Sequence, residues 1–144
     1  MQYSFDYRAI TRNIMPWQGG MKMWSKFDFN DPYEGEVLES INNTPIPAEY
    51  INFMKKHNGG EGDTGESWLM LYPFEELVEI NEEYQEYLKD GFIIGSNGGG
   101  ELFGINGDGR YFIVPDIIEE EYLTIIGNSI GNLPEDINRY WNNL

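Results

Sequence analysis

The stretch from Ile46 to Gly62, IPAEYINFMKKHNGGEG, decides the fold of this chain. Pro47 is tolerated at the start of a helix, because the N–H that it lacks would be unpaired there anyway. The apolar and aromatic side chains that follow recur at spacings of three and four residues and share one helix face: Tyr50, Phe53, Met54 and His57. Gly59 suits the left-handed position that closes a helix. The stretch therefore predicts an amphipathic helix that is stopped by a glycine turn.

A second stretch, FIIGSNGGGELF from Phe92 to Phe103, complements the first. Its beginning, up to Gly95, is apolar at every position, which is typical of a central strand. A glycine turn and another strand, Leu102 to Ile105, come next. Asn106-Gly107-Asp108-Gly109 then predicts a hairpin to a strand from Tyr111 to Val114, because Asn, Asp and Gly tolerate positive φ.

Local signals predict the remaining elements. Asn30-Asp31-Pro32 is a helix-start signal, and it predicts a short helix to about Ile41. The segment from Glu61 to Gly65 is predicted as a polar loop. The other predicted elements are strands over Ser67 to Tyr72 and Tyr122 to Ile126, a helix from Pro73 to about Leu88, and a last helix that begins near Asn128 or Pro134. The pattern indicates the α+β class, with a small, mainly antiparallel sheet flanked by helices.

The totals describe an acidic, cysteine-free chain of single-domain size. It has 144 residues, no cysteine, and 25 acidic residues against 9 basic ones, for a formal charge of -16. Binding to nucleic acid or to an anionic membrane surface is disfavoured by this sign of charge. A basic protein partner is favoured, and a purely solubilising role of the acidic residues is the alternative. Without a membrane-length apolar run or a signal peptide, the expected location is the cytoplasm.

The charge is distributed unevenly along the chain. Residues 1–30 hold four basic residues against two acidic ones, together with Trp17 and Trp24. We therefore predict an N-terminal extension, residues 1–30, that packs on an acidic body formed by residues 31–144; a mobile arm is the alternative.

Catalytic and cofactor sites find little support in the residue types. His57 is the only histidine, so neither a zinc site nor a Ser-His-acid triad is expected. Asn106-Gly107-Asp108-Gly109 lacks the spaced acids and the closing Glu of a calcium loop. Gly98-Gly99-Gly100 lacks the lysine of a phosphate loop. No cofactor and no metal is predicted, and a hydrolase built on converging carboxylates such as Glu61 and Glu101 stays a remote alternative.

Two acidic surfaces are candidates for partner binding. The first combines an acidic, glycine-rich segment with a tryptophan and comprises Glu61, Asp63, Glu66, Trp68 and Glu101. Aromatic and charged anchors on loops of a rigid scaffold are natural contact points. The second surface is the acidic face of the helix after Pro73 and comprises Glu75, Glu79, Glu82, Glu83 and Glu86. The alternative for both surfaces is that Trp68 belongs to the core and that the acids are merely solvated.

The order of the motifs resembles the SUKH superfamily, in the branch named for the yeast Smi/Knr regulator of cell-wall assembly. The resemblance covers roughly residues 32–133. It rests on Ile46-Pro47 with Tyr50 and Phe53, Asn58-Gly59-Gly60, Phe74-Glu75-Glu76-Leu77 with Asn81, Ile94-Gly95-Ser96, and Gly99-Gly100-Glu101. Ile46 departs mildly from the family pattern, in which leucine is usual at this position.

The resemblance implies a compact α+β domain without catalytic activity. Bacterial members of this family are mostly immunity proteins, which bind a toxin domain, often a nuclease or deaminase, made by a neighbouring gene. The resemblance thus implies a cognate toxin as the partner, and a basic nuclease-type domain would suit the charge of this chain. The yeast relative is a regulatory scaffold, and this role is the alternative.

Overall fold

The computed structural model describes residues 24–144, and its main element is an antiparallel sheet of seven strands. The strands of residues 24–144, in this sheet and outside it, are β1 (Phe27–Phe29), β2 (Ser40–Ile41), β3 (Thr44–Pro45), β4 (Gly60–Asp63), β5 (Trp68–Leu71), β6 (Phe92–Ser96), β7 (Glu101–Ile105), β8 (Tyr111–Pro115) and β9 (Thr124–Gly127). The main sheet has the order β1-β4-β5-β6-β7-β8-β9, while β2 and β3 form a separate two-stranded ribbon. Short hairpins connect β4 to β5, β6 to β7 and β7 to β8, whereas longer segments connect the other neighbours in the sheet.

Within residues 24–144, three α-helices accompany the sheet: α1 (Ala48–Lys56), α2 (Leu77–Glu82) and α3 (Leu133–Asn142). The main core lies between one face of the sheet, here called the inner face, and helices α1 and α3. Its buried side chains include Tyr50, Phe53 and Met54 of α1, Leu69 and Leu71 of β5, Phe103 and Ile105 of β7, and Leu133 and Ile137 of α3. The predicted α+β class, with a mainly antiparallel sheet and flanking helices, is confirmed.

A smaller core covers part of the opposite, outer face of the sheet. It comprises Leu88, Ile93, Leu102, Phe112 and Val114, with Tyr72, Tyr84, Ile118 and Leu123 packed against it. Because successive side chains of a strand point to opposite faces, β6, β7 and β8 contribute to both cores. This explains why the stretch from Phe92 is apolar at every position.

The described end of the predicted N-terminal extension is part of the sheet. Trp24 is buried, and its indole N–H donates a hydrogen bond to the backbone carbonyl of Gly131 at 3.2 Å. Its ring also contacts Phe27 edge-to-face, with ring centres 4.8 Å apart. The strand β1 that follows forms the sheet edge beside β4. The prediction for residues 1–23 lies outside the described residues.

The helix predicted from Asn30 to Ile41 is wrong. The backbone of this segment instead bonds to the end of α1: the Tyr33 N–H donates to the Met54 carbonyl at 3.1 Å, and the Asn58 N–H donates to the Asp31 carbonyl at 3.3 Å. These long-range bonds replace the bonds that a local helix would form, and the segment runs into β2.

Two further predicted boundaries need correction. The helix after Pro73 begins as a 3₁₀ turn, Phe74–Glu76, and α2 ends at Glu82 instead of Leu88. Residues 83–87 form turns instead, which bonds such as that from the Leu88 N–H to the Tyr84 carbonyl close. The predicted polar loop from Glu61 to Gly65 is wrong as well, because β4 passes between β1 and β5 and bonds to both.

Candidate partner-binding face

The register of β1, β4 and β5 places acidic side chains and a tryptophan on the outer face of the sheet. Asp28 lies opposite Glu61, Glu61 opposite Met70, and Asp63 opposite Trp68. Residues that face each other across an antiparallel pair point to the same side of the sheet. Leu69 and Leu71, which alternate with Trp68 and Met70, point into the main core, so these five side chains lie on the outer face. We call Asp28, Glu61, Asp63, Trp68 and Met70 the acidic outer face.

Trp68 is the apolar centre of the acidic outer face. It is 44% exposed, whereas Leu69 is 0% and Leu71 is 2% exposed. This alternation answers the question whether Trp68 belongs to the core, because its side chain lies on the solvent side of β5. Asp28, Glu61 and Asp63 are exposed around it. The face therefore offers a large aromatic surface with carboxylates along its β4 side.

The hairpin that joins β4 to β5 is fixed from the other side of the sheet. Asn138 of α3 accepts hydrogen bonds from the Thr64 hydroxyl at 2.7 Å and from the Glu66 N–H at 2.9 Å. Its amide donates to the Thr64 carbonyl at 2.6 Å. Glu66 is exposed at the hairpin tip. One side chain thus holds the hairpin in place next to the acidic outer face.

Glu101 does not join the other predicted contact residues. It lies opposite Pro115 on β8. It also precedes Phe103 of the main core by two residues on the same strand, so both side chains point to the inner face. Its carboxylate accepts a hydrogen bond from the Asn97 side chain at 2.7 Å. It lines a shallow depression of about 340 Å³ with Tyr122 and Tyr140. The structure therefore brings Glu61, Asp63 and Trp68 together, places Glu66 at their end, and separates Glu101 from them.

The second predicted surface is an exposed acidic ridge. Its members Glu75, Glu79, Glu82, Glu83 and Glu86 lie on the 3₁₀ turn, on α2 and on the turns that follow. Glu75 accepts a hydrogen bond from the Asn58 side chain at 2.8 Å. Asn58 also accepts a bond from the backbone N–H of Phe74 at 2.8 Å, so Glu75 helps to fix the start of this segment. The remaining carboxylates extend into solvent.

Sequence reasoning missed Asp28 and Met70. Asp28 belongs to a segment that alternates between apolar and polar residues, Phe27-Asp28-Phe29, and this alternation is a signal that places it on the face opposite the core. Met70 lies in an uninterrupted apolar run, Trp68 to Leu71, which carries no such signal. Whether Asp28 and Met70 lie close to Glu61 and Trp68 depends on which strands pair and in which register. The local sequence pattern does not specify this pairing.

Several titratable side chains are packed in or beside the main core. Burial raises the pKa of the Tyr50 and Tyr111 hydroxyls far above their ordinary value, so both stay protonated. The His57 ring stacks on Phe29 with ring centres 4.1 Å apart, and burial, assisted by Lys56, lowers its pKa. These groups serve packing in this arrangement.

Two absences within residues 24–144 bear on the class of site. Nowhere in this range do three or more His, Cys, Asp or Glu side chains come together in a way that could hold a metal ion. No helix in the same range is both long and apolar enough for a membrane span.

Comparison with known proteins identifies a family. The model described as "SMI1 / KNR4 family (SUKH-1)" matches residues 33–134, which is more than half of the chain. This match confirms the resemblance that the ordered motifs indicate. No curated protein matches the chain.

Proposed function

The chain belongs to the SMI1/KNR4 family (SUKH-1), and on this premise we propose that it is a non-enzymatic immunity protein. It acts in the cytoplasm, where it neutralises a cognate bacterial toxin domain by direct one-to-one binding. The toxin domain is basic and of the nuclease type. The observation that carries this proposal is the acidic outer face, with its half-exposed Trp68 and its exposed carboxylates.

Charge supports the choice of a basic partner. A nuclease domain binds phosphates with lysine and arginine side chains, so its working surface is positive. An acidic protein that docks there would both block the substrate and be attracted from a distance. The formal charge of -16 supplies the long-range attraction, and the acidic outer face supplies a surface for close contact.

The arrangement of the carboxylates supports a binding role more than a hydrolytic one. A carboxylate hydrolase needs two acidic side chains that flank one substrate in a cleft. Glu61 and Asp63 lie on an open sheet face, and Glu101 lies on the opposite face. An open surface of this kind suits contact with another protein.

The test is a calorimetric titration of the purified protein against the toxin-like domain encoded beside its gene. We expect tight one-to-one binding that weakens when the salt concentration is raised. In a rapid-mixing experiment, the variant Glu61→Gln/Asp63→Asn/Glu66→Gln should associate with this domain more slowly, and it should remain folded. The matched control neutralises three carboxylates of the acidic ridge, Glu79→Gln/Glu82→Gln/Glu83→Gln. Absence of heat with a correctly folded neighbouring domain counts against the immunity role, and equal association of both variants removes the acidic outer face from it.

A regulatory scaffold is the second candidate function. It is favoured by the acidic ridge, because a separate charged surface on other elements would allow a second partner to bind simultaneously. An unbiased pull-down from the native cell tests this role. Several partners of modest affinity would support the scaffold, whereas a single partner that saturates the protein one-to-one supports the immunity role.

A further inference from the structure

We propose that the acidic outer face is a receptor for an arginine side chain of the partner, with the guanidinium lying on the indole of Trp68. The inference rests on the proposed function, because it names the chemical group that the basic partner presents. It specifies the site further than charge alone does, since it assigns the contact to Trp68 and Asp63, with Glu61 and Asp28 next along the same face, and leaves Glu101 out.

The first step is that, among residues 24–144, a buried core covers the outer face of the sheet over β6, β7 and β8 but not over β4 and β5. Over β6, β7 and β8 the small core buries residues such as Ile93 and Leu102. Over β4 and β5, Trp68 keeps nearly half of its surface exposed. A partly exposed tryptophan beside half-buried Met70 is the kind of aromatic anchor that dominates protein interfaces.

The second step is the proximity of carboxylates to the indole ring. Asp63 lies directly opposite Trp68, and opposite residues of an antiparallel pair have Cβ atoms about 4.5–5.5 Å apart. Glu61 and Asp28 continue the row of acids toward the sheet edge. The Asp63 carboxylate also accepts a hydrogen bond from the Gly65 N–H at 2.7 Å, which holds it in a defined place.

The third step is the match between this arrangement and a guanidinium group. A cation above an indole face is attracted by the electron-rich ring. The planar guanidinium can stack on the ring and simultaneously donate two parallel hydrogen bonds to a carboxylate at its edge. A lysine ammonium is compact and strongly hydrated, so it fits a flat ring with an adjacent acid less well. The site therefore favours arginine over lysine.

The fourth step concerns competing cations. Within residues 24–144 the structure gives no ion pair to Asp28, Glu61 or Asp63, and the ion pair that it does give joins Arg139 to Asp136 on α3. The sequence outside this range contains Arg8 and Arg12. Occupation of the site by this segment of the chain itself is the competing outcome that the experiment must separate.

The experiment is an NMR titration of the full-length chain, followed at the indole N–H resonance of Trp68 and at the backbone amide resonances of Glu61 and Asp63, which remain observable in the Trp68 variants. The probes are a short serine peptide with two arginines and the same peptide with two lysines. We expect the arginine peptide to shift this resonance and to bind about two- to fivefold more tightly than the lysine peptide. Trp68→Ala should abolish the preference, and Trp68→Phe should retain part of it. Tyr87→Ala, which removes a 55% exposed aromatic side chain beside the acidic ridge, is the matched control.

Each outcome decides the inference. Equal affinity for both peptides, or a preference that survives in Trp68→Ala, overturns it. A preference for the arginine peptide that is absent in the unaltered chain and appears only in the variant Arg8→Gln/Arg12→Gln also overturns it. That result would mean that the chain's own arginines occupy the site in the unaltered protein. The proposed function fails separately: full-strength binding of the neighbouring toxin-like domain by Trp68→Ala contradicts the arginine receptor alone, whereas no binding of that domain by the unaltered chain contradicts the immunity role.

Discussion

Asn81 is the buried polar side chain on which the junction between α2 and β6 depends. It is 0% exposed, and its amide donates to the carbonyls of Leu77 and Ile93, at 2.8 and 2.9 Å. Its side-chain oxygen accepts a bond from the Ile93 N–H at 2.7 Å. Asn81→Ala would leave two backbone groups of Ile93 without partners in the core. We expect it to lower the free energy of unfolding by about 2–4 kcal/mol.

Chemical denaturation followed by circular dichroism measures this effect. Asn52→Ala is the matched control, because Asn52 is exposed on α1 and should tolerate the change within about 0.5 kcal/mol. A loss below about 1 kcal/mol for Asn81→Ala would contradict the role that we assign to its three hydrogen bonds.

His57 gives the folded chain a pH dependence of definite sign. Burial, with a smaller contribution from Lys56, lowers its pKa below the ordinary value of 6.5. The unfolded chain therefore takes up the proton first as the pH falls, so the contribution of His57 is fully present above about 6.5 and is lost below it. We expect stability to decline between about pH 6.5 and 5.5, before most carboxylates titrate.

His57→Phe separates this contribution from the rest of the chain. Phenylalanine can retain the packing on Phe29, whose ring centre lies 4.1 Å from that of His57, but it cannot bind a proton. The variant should show a flatter stability profile over the same pH window in thermal unfolding. Parallel profiles for both proteins would show that the burial of His57 does not disfavour its charged form.

In the candidate site, the sequence indicates which residues lie close together on one hairpin, but it does not indicate to which face of the sheet a residue on another strand points. The neighbourhood of Glu61, Asp63 and Trp68 was predicted from their closeness in sequence, and hairpin pairing does bring them together. Glu101 was grouped with them because both segments are rich in glycine. The face of the sheet to which Glu101 points depends on how β7 pairs with its neighbours. The sequence alone does not provide this register.

At the scale of elements, Gly62 permits the close pairing of the edge strand β1 with β4. A Cβ atom at this position would lie 2.5 Å from the Lys26 carbonyl oxygen and 2.6 Å from the Phe27 Cα. Both atoms belong to backbone, so the strand itself would have to move. We expect Gly62→Ala to displace β1 and to cost about 1–3 kcal/mol of stability.

Hydrogen exchange locates the damage from this substitution. The amides of Asp28 and Asn30, which point toward β4, should lose protection in Gly62→Ala, while those of β7 and β8 should keep it. Gly131→Ala is the control, because a Cβ there meets only the Ser129 side chain at an ordinary distance of 3.6 Å. Full protection of β1 in Gly62→Ala would contradict the close approach.

Elements with local signals were predicted well, and elements fixed by distant partners were not. Helix α1 follows from its apolar spacing, and the hairpin between β7 and β8 follows from Asn106 to Gly109. The segment after Asn30 carries a helix-start signal, but its backbone finds partners in α1. β4 consists of Gly60-Glu61-Gly62-Asp63, which has low strand propensity, and it is a strand because β1 and β5 bond to it on both sides.

At the scale of the whole molecule, the acidic residues have two opposite effects. The formal charge of -16 attracts a basic partner, and it also makes the folded chain repel itself. The acidic outer face and the acidic ridge lie on different elements, so the charge is spread over more than one surface. Repulsion among these carboxylates therefore lowers the stability of the fold.

Added salt should stabilise the folded chain and weaken its binding to a basic partner. Raising sodium chloride from about 0.05 M to about 0.5 M shortens the screening length and relieves the repulsion within the folded chain. We expect the melting temperature to rise, and for a chain near this size a gain of about 1 kcal/mol corresponds to about 2–4 °C. The same salt increase should weaken binding to a basic partner, because it screens the attraction between the two proteins.

A charge-reduced variant tests the common cause of both responses. Glu79→Gln/Glu82→Gln/Glu83→Gln removes neighbouring carboxylates of the acidic ridge, so it should melt at a higher temperature in low salt and respond less to added salt. Differential scanning calorimetry over the salt series measures both quantities. A melting temperature that stays constant or falls with sodium chloride would mean that self-repulsion does not limit the stability of this chain. The salt dependence of partner binding would then reflect the contact surface alone.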